Sequence, residues 1–182
     1  MRPEIIQEKV EIPQGVAVSI ERPVVKAKGP KGEMQKNFFD SKIKIENSNG
    51  SVVFTAKKPS KTIKTMFYTA ISHFRNMIEG VSRGFVYKLR IRYVHFPVTV
   101  KVEQNKVVIN NFLGEKIPRK AVILDGVDVK VAGDLITVEG INIEKVSQTA
   151  ANIEMATRIT GRDRRRFQDG CYIIEKAGVS LL

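Results

Sequence analysis

The sequence repeats itself, and that repetition constrains the fold more than any other feature. Val16–Glu21 (Val-Ala-Val-Ser-Ile-Glu) falls on Val98–Glu103 (Val-Thr-Val-Lys-Val-Glu) at an offset of 82 residues, and Gly32-Glu33 falls on Gly114-Glu115 at the same offset. Ile43–Ile45 falls on Val127–Val129 and Val52–Phe54 on Ile136–Val138, both at 84. Ile63, Met66, Phe67 and Ala70 fall on Val146, Thr149, Ala150 and Ile153 at 83, and Gly80 falls on Gly161 at 81. The order holds while the offset drifts slightly, as short loop insertions would make it do. Two copies make a duplicated domain, whereas a solenoid needs three or more repeats.

Each copy reads the same way. Val16–Glu21 alternates in polarity, Arg22-Pro23 breaks the run, and Val24–Ala27 resumes it, which predicts a hairpin with proline at the turn. Lys42–Glu46 alternates strictly, Asn47–Gly50 turns, and Ser51–Thr55 returns. The second copy repeats this as Val127–Val131, a turn at Ala132–Asp134, and Leu135–Glu139. The period then switches to 3.6 residues. Ser60 is placed to cap a helix whose apolar stripe is Ile63, Met66, Phe67, Ala70, Ile71, Phe74 and Ile78, with Gly80 as its stop. Asn142 would cap a second helix with Val146, Ala150, Ile153 and Thr157 on its face and Gly161 as its stop. Between the copies, Phe85–Tyr93 reads as a strand with Phe85, Tyr87, Leu89, Ile91 and Tyr93 on one face and Lys88, Arg90 and Arg92 on the other. The expected class is α+β: two tandem duplicated domains, residues 1–82 and 83–182, each an antiparallel β-sheet packed against one main α-helix. Domains of this size lie near the lower end for independent folding, which suits a compact module better than a deep-pocketed enzyme.

Charge narrows the function. The 182 residues carry 31 Lys and Arg against 19 Asp and Glu, a formal net charge of +12. The excess is +7 over residues 1–85 and +5 over the remainder, so it sits on folded elements and not on a basic tail. Such a surplus points to a polyanionic partner. Met1–Glu4 begins no signal-peptide core, and no apolar run approaches the ~18 residues of a membrane span, so a soluble intracellular chain with no membrane partner is expected. A single cysteine, Cys171, excludes an internal disulfide and a Cys-based zinc site.

No catalytic constellation stands out. Gly29-Pro-Lys-Gly32 has two residues between its glycines and is followed by Glu33, whereas a phosphate-binding Walker loop has four and ends in Gly-Lys-Ser/Thr; a turn between strands is expected. Asp125, Asp128 and Asp134 could suggest a metal loop, but Val127, Val129 and Val131 interleave as the inner face of a strand, which turns Asp128 outward. His73 falls on a helix flank. His95 precedes Phe96-Pro97 and reads as a strand end and a contact residue, not a base. Cys171 reads as a small buried hydrophobe. A nuclease using Asp163 and Asp169 with a divalent metal is the sharpest enzymatic alternative, but two carboxylates among arginines are more simply internal charge balance.

The segment Gly161–Gly170 (Gly-Arg-Asp-Arg-Arg-Arg-Phe-Gln-Asp-Gly), preceded by Arg158, is different. Arg158, Arg162, Arg164, Arg165 and Arg166 are interrupted by a single acid, Asp163. Arginine suits phosphate because its planar fork donates paired hydrogen bonds and never deprotonates. A helix C-terminus attracts cations with about 0.3–1 kcal/mol apiece, fading within a turn. That explains one arginine and not a mutually repelling cluster, so an external polyanion is expected. Phe167 would stack on a base or pack back on the sheet. The Lys88/Arg90/Arg92 face divides evenly between nucleic-acid contact and a solvated edge, and Lys57, Lys58, Lys61 and Lys64 read as a solvated helix start.

The duplicated module, Gly80–Leu89 (Gly-Val-Ser-Arg-Gly-Phe-Val-Tyr-Lys-Leu) and Thr160–Tyr172 together resemble the family of the sixth protein of the large ribosomal subunit, across nearly the whole chain. Gly161–Ile173 resembles its archaeal and eukaryotic branch; Cys171 replaces the larger aliphatic residue expected there, a matter of packing. The resemblance implies a structural, non-enzymatic, cofactor-free protein of the cytoplasmic ribosome that supports translation. It implies a C-terminal domain docked on large-subunit rRNA close to the sarcin–ricin loop, beside the site of translational GTPases and among neighbouring ribosomal proteins, with no small-molecule substrate. Carried over by position, the rRNA contacts are Arg158, Arg162, Arg164, Arg165, Arg166 and Lys176, with Lys88 a weaker candidate. Such rRNA would be read through phosphates, 2′-hydroxyls and shape. The alternative is a free nucleic-acid-binding regulatory protein acting on DNA or messenger RNA. The sequence lacks a helix-turn-helix signature and an aromatic-rich strand motif that would favour it.

Overall fold

Strict alternation becomes strand wherever one face can be buried. In the computed structural model, which describes residues 5–21, 23–38, 42–48 and 50–181, Ile43 and Ile45 are buried while Lys44 and Glu46 between them are exposed. Met1–Glu4, Arg22 of the first expected break and Asn49 of the Asn47–Gly50 turn lie outside the described residues. The chain forms two units, Met1–Gly84 and Phe85–Leu182.

The first unit contains β1 (Ile5–Glu11), β2 (Ala17–Glu21), β3 (Val24–Gly29), β4 (Gly32–Asn37), β5 (Ile43–Ser48), β6 (Ser51–Lys57) and α1 (Lys61–Ser82). Its strands divide into two antiparallel three-stranded sheets, β1-β6-β5 and β2-β3-β4. Val52, Phe54, Phe67, Phe74, Met77 and Val81 are fully buried, and Phe54 meets Phe74 edge to face at 5.4 Å between centroids. Gly29-Pro-Lys-Gly32 is the turn between β3 and β4. A Cβ at Gly29 would lie 2.5 Å from the carbonyl oxygen of Val81, so only glycine lets the hairpin press against the last turn of α1. The Lys31 amide donates to that same carbonyl at 3.0 Å, satisfying one of the orphan acceptors of the helix end and leaving no phosphate cradle.

Ser60 caps α1 as its position predicts, its Oγ accepting from the Ile63 amide at 3.3 Å. Two details of the helix differ from expectation. Gly80 is buried inside the helix and does not end it; the stop is Gly84, whose φ of +75° opens the turn while its amide donates to Glu79 and Gly80. The apolar stripe also thins toward the N-terminus, with Met66 50% exposed and Ile63 and Ala70 half-buried. These three line an open groove of about 650 Å³ with Phe38, Ile43 and Ile45.

The second unit contains β7 (Phe85–Arg92), β8 (Thr99–Glu103), β9 (Lys106–Asn110), β10 (Arg119–Val122), β11 (Val127–Ala132), β12 (Leu135–Gly140), α2 (Ile143–Ala156), β13 (Gly170–Lys176) and β14 (Val179–Ser180). Its sheets are β11-β12-β7-β13-β14 and β10-β9-β8, again antiparallel. The duplication is visible strand by strand: β1-β6-β5 has its counterpart in β7-β12-β11, and β2-β3-β4 in β8-β9-β10. The tandem α+β class stands, with the strands of each unit shared between two sheets. Leu89, Ile109, Ile136, Val138, Val146, Ala150 and Ile153 form the second core, and Cys171 lies fully buried within it. Burial pushes the Cys171 thiol up to about 12.

Asn142 caps α2, accepting from the Glu144 amide at 2.9 Å. The helix ends at Ala156 and does not run on to Gly161. Thr157 fixes the break: its hydroxyl donates to the Glu154 carbonyl at 3.0 Å and accepts from the Cys171 amide at 2.9 Å, tying the chain to β13. α2 therefore has 14 residues where α1 has 22, and residues 157–169 cross to β13 without helical structure.

Candidate nucleic-acid interface

Three fastenings shape the segment that follows α2. The first is Arg119 on β10. One of its guanidinium nitrogens donates to the carbonyls of Ala156 and Arg158, both at 3.0 Å, while the others grip Glu115 at 2.6 and 2.8 Å. The same guanidinium lies 4.3 Å above the Phe112 ring. Hydrogen bonding by Arg119 holds the Glu115 carboxyl below the ordinary carboxylate range. The carbonyls at the helix end are thus met by Arg119, outside the cluster, and the helix has no basic residue of its own in the last turn.

The second fastening is Asp163. Its carboxylate accepts from the Arg165 amide at 3.0 Å, and its carbonyl accepts from the amides of Arg166 and Phe167 at 3.1 and 2.9 Å. An aspartate bonding its own backbone two residues on is how a short polar side chain builds a turn. This turn carries Arg164, Arg165 and Arg166. Arg165 also folds its guanidinium onto Asp163 at 3.0 Å, which lowers the carboxyl's pKa, but the Arg165 side chain stays 90% exposed. A solvent-exposed pair of this kind is weak and exchanges readily for a better anion.

The third is Asp169, fully buried where the segment enters β13. Oδ1 accepts from the amides of Val94 and His95 at 2.8 and 3.2 Å, and Oδ2 takes the His95 Nδ1 at 2.8 Å. Burial alone would raise its pKa; these hydrogen bonds together outweigh it and hold the carboxyl below its usual range. His95 stacks on Phe167 at 4.6 Å and 22° between planes, and the Arg162 guanidinium lies 4.8 Å over the same ring. Histidine, phenylalanine and arginine form one layered platform, so Phe167 packs against its own chain.

All five arginines of the cluster are exposed. Arg158, Arg164 and Arg166 make no ion pair among the described residues, Arg162 is spent on an aromatic face, and only Arg165 meets a carboxylate. Arg90 and Arg92, also exposed and without an ion pair among the described residues, extend the positive surface along β7, Arg92 pairing across from Gly170. The two remaining sequence-based candidates lie apart. Lys176 is at the far end of β13, six residues from Gly170 or roughly 20 Å along a strand. Lys88 pairs with Glu175 at 2.8 Å and is half-buried. No group of three or more His, Cys, Asp or Glu that could hold a metal occurs among the described residues. Asp128 is turned outward near Lys130, at 3.5 Å.

Arg119, His95 and Asp169 escaped the sequence-based set as site-shaping residues. Asp169 offered one local signal, a carboxylate at the mouth of an apolar strand that must find donors. The donors themselves lie 74 and 75 positions away.

A family model described as Ribosomal protein L6 matches residues 12–84 and 96–170. Large ribosomal subunit protein uL6 of Sulfurisphaera tokodaii is 51% identical over 172 residues, covering 94% of this chain and 92% of that one. The protein of the same name from Methanosarcina mazei is 52% identical over 172 residues, covering 94% and 98% respectively. That of Saccharolobus solfataricus is 47% identical over 173 residues, covering 94% and 96%.

Proposed function

Because this chain belongs to the ribosomal protein L6 family, a structural and non-enzymatic part of the large ribosomal subunit in the cytoplasm, we propose that its C-terminal unit docks on large-subunit rRNA through residues 158–166. The contact lies near the sarcin–ricin loop and beside the translational-GTPase site, among neighbouring ribosomal proteins, as the family resemblance implies. Arg158, Arg162, Arg164, Arg165 and Arg166 meet phosphates, Lys176 reaches the RNA from the far end of β13, and Lys88, already balanced by Glu175, contributes least.

One observation carries this reading: five guanidiniums share a short segment with a single carboxylate, and four of them make no ion pair among the described residues. The screening length at physiological salt is about 8 Å, so neighbours this close still repel. Arg119 and Asp169 hold the segment in place against that repulsion, which favours a preformed cationic surface over a tail that folds on contact. Phosphates offset the repulsion and release their counterions on binding.

The test is the affinity of the full chain for a large-subunit rRNA fragment as salt is varied. Alanine at Arg164, Arg165 and Arg166 should flatten the log–log slope by roughly 0.7–0.9 per lost phosphate contact. An unchanged slope and affinity would remove the site assignment. Recovery of the protein on DNA and not with large subunits would favour the free regulatory alternative.

A further inference from the structure

A cleft of about 450 Å³ opens beside the arginine turn, lined by Arg92, Tyr93, Val94, Arg164, Gln168 and Tyr172. That volume falls within the roughly 300–1,000 Å³ of small-ligand sites. Its walls come from three parts of the chain: the end of β7 and the residues just after it, the turn built by Asp163, and the entry into β13. No carboxylate lines it. Of the two acids adjacent to it in sequence, Asp169 is buried and turned to Val94 and His95, and Asp163 is held by Arg165. The two cationic walls, Arg92 and Arg164, are exposed and have no ion pair among the described residues. Tyr93 is 47% exposed, one of the large apolar side chains the surface leaves uncovered. Tyr172 donates its hydroxyl to the Asp169 carbonyl at 3.2 Å, which fixes the ring. Gln168 donates its amide to the Arg165 carbonyl at 3.3 Å, leaving its carbonyl oxygen as an acceptor.

We propose that this cleft receives a single unstacked ribonucleotide of the bound RNA, its base against Tyr93 and its phosphate between Arg92 and Arg164. The inference rests on the rRNA-binding reading above and adds the class of RNA feature recognised. An inorganic anion or an acidic peptide would use the two arginines but gives the exposed tyrosine face no partner. A continuous A-form duplex keeps its bases stacked, so only a bulge, loop or extruded nucleotide presents a free ring face. The Gln168 carbonyl oxygen can then accept from an exocyclic amine or a 2′-hydroxyl. The backbone of the cleft is preorganised, because Asp169 fixes the amides of Val94 and His95 on one side and Asp163 fixes the turn on the other.

The experiment compares two RNA probes of equal phosphate number on the full chain: a hairpin with a loop of unpaired adenosines, and a blunt, fully paired duplex. Tyr93→Ala should weaken hairpin binding by roughly 5- to 150-fold, the worth of one base stacked on an aromatic ring, without altering the salt slope. Duplex binding should not change, and Tyr93→Phe should restore the hairpin affinity. Arg166→Ala, outside the cleft, should weaken both probes and flatten both slopes. Equal affinity of wild type and Tyr93→Ala for the hairpin, or equal losses on hairpin and duplex, would overturn the cleft assignment while leaving the arginine interface standing. Failure of Arg166→Ala together with the Arg164–Arg166 triple variant to weaken either probe would instead overturn the interface itself.

Discussion

Removing the Asp169 carboxylate tests whether a buried acid holds the cationic segment in place. In Asp169→Ala the amides of Val94 and His95 and the His95 ring lose their acceptor. Hydrogen bonds to a charged group contribute about 1.5–3 kcal/mol each. Val94 is 68% exposed, so its amide can turn to water and the lower figure applies. The two amides together should therefore lose about 3 kcal/mol, which is about a hundredfold in hydrogen-exchange protection at these positions. Asp169→Asn keeps an oxygen for both amides as neutral bonds of about 1 kcal/mol each, so its loss should be near 1 kcal/mol, or about fivefold. The sign with pH follows from the lowered carboxyl. A group whose folded pKa is depressed stabilises the fold above its unfolded value, about 3.9 for aspartate, and that contribution fades as pH falls through the folded pKa. The gap between wild type and Asp169→Asn should thus be full at neutral pH and shrink in acid below about pH 4. Unchanged protection of Val94 and His95 in Asp169→Ala, or a wild-type-to-Asn gap that persists in strong acid, would refute the anchoring role.

Gly29→Ala should destabilise the first unit by about 2–4 kcal/mol in urea denaturation, because the new methyl meets the Val81 backbone at 2.5 Å and neither can yield cheaply. Cys171 should resist thiol reagents at pH 8 and react only as the second unit unfolds, since it is fully buried and its pKa stands at about 12; rapid labelling of native protein would contradict that burial. Arg119→Met keeps the bulk over Phe112 but leaves two carbonyls and Glu115 without their donor. It should cost about 1–3 kcal/mol in the same denaturation assay and weaken RNA affinity without changing the number of phosphate contacts read from the salt slope.

The strands were legible because their information is local. Alternation at Lys42–Glu46 and Val127–Val131 fixes which side chains are buried, and the turn residues between the runs fix where the chain reverses. Partner choice is not local, and so the division of each unit into two sheets, with β1 joining β6 and β7 joining β12, could not be read from any window. Glycine misled twice in the same manner. Gly80 and Gly161 carry the mark of a helix stop, yet Gly80 is packed inside α1, and α2 had already been broken at Thr157 by a hydroxyl reaching Cys171, fourteen positions on. The arginine cluster was visible in one glance at the sequence. The platform of His95, Phe167 and Arg162 was not, since the aspartate that orders it bonds residues on the far side of five strands and a helix in the chain.

The unequal helices set where the two copies part company. At the offset of 83 that aligns their buried faces, the last turns of α1 correspond to residues 158–165, the stretch where the second copy is unwound. The arginine-bearing loop of the second copy therefore takes up the length that helix occupies in the first, with no extra chain. The two copies differ in conformation at nearly constant length, with the hydroxyl of Thr157 at the point where the second helix breaks and Arg119 tying the carbonyls of Ala156 and Arg158 beside it. One copy spends that stretch on two further turns of helix; the other spends it on an exposed row of guanidiniums.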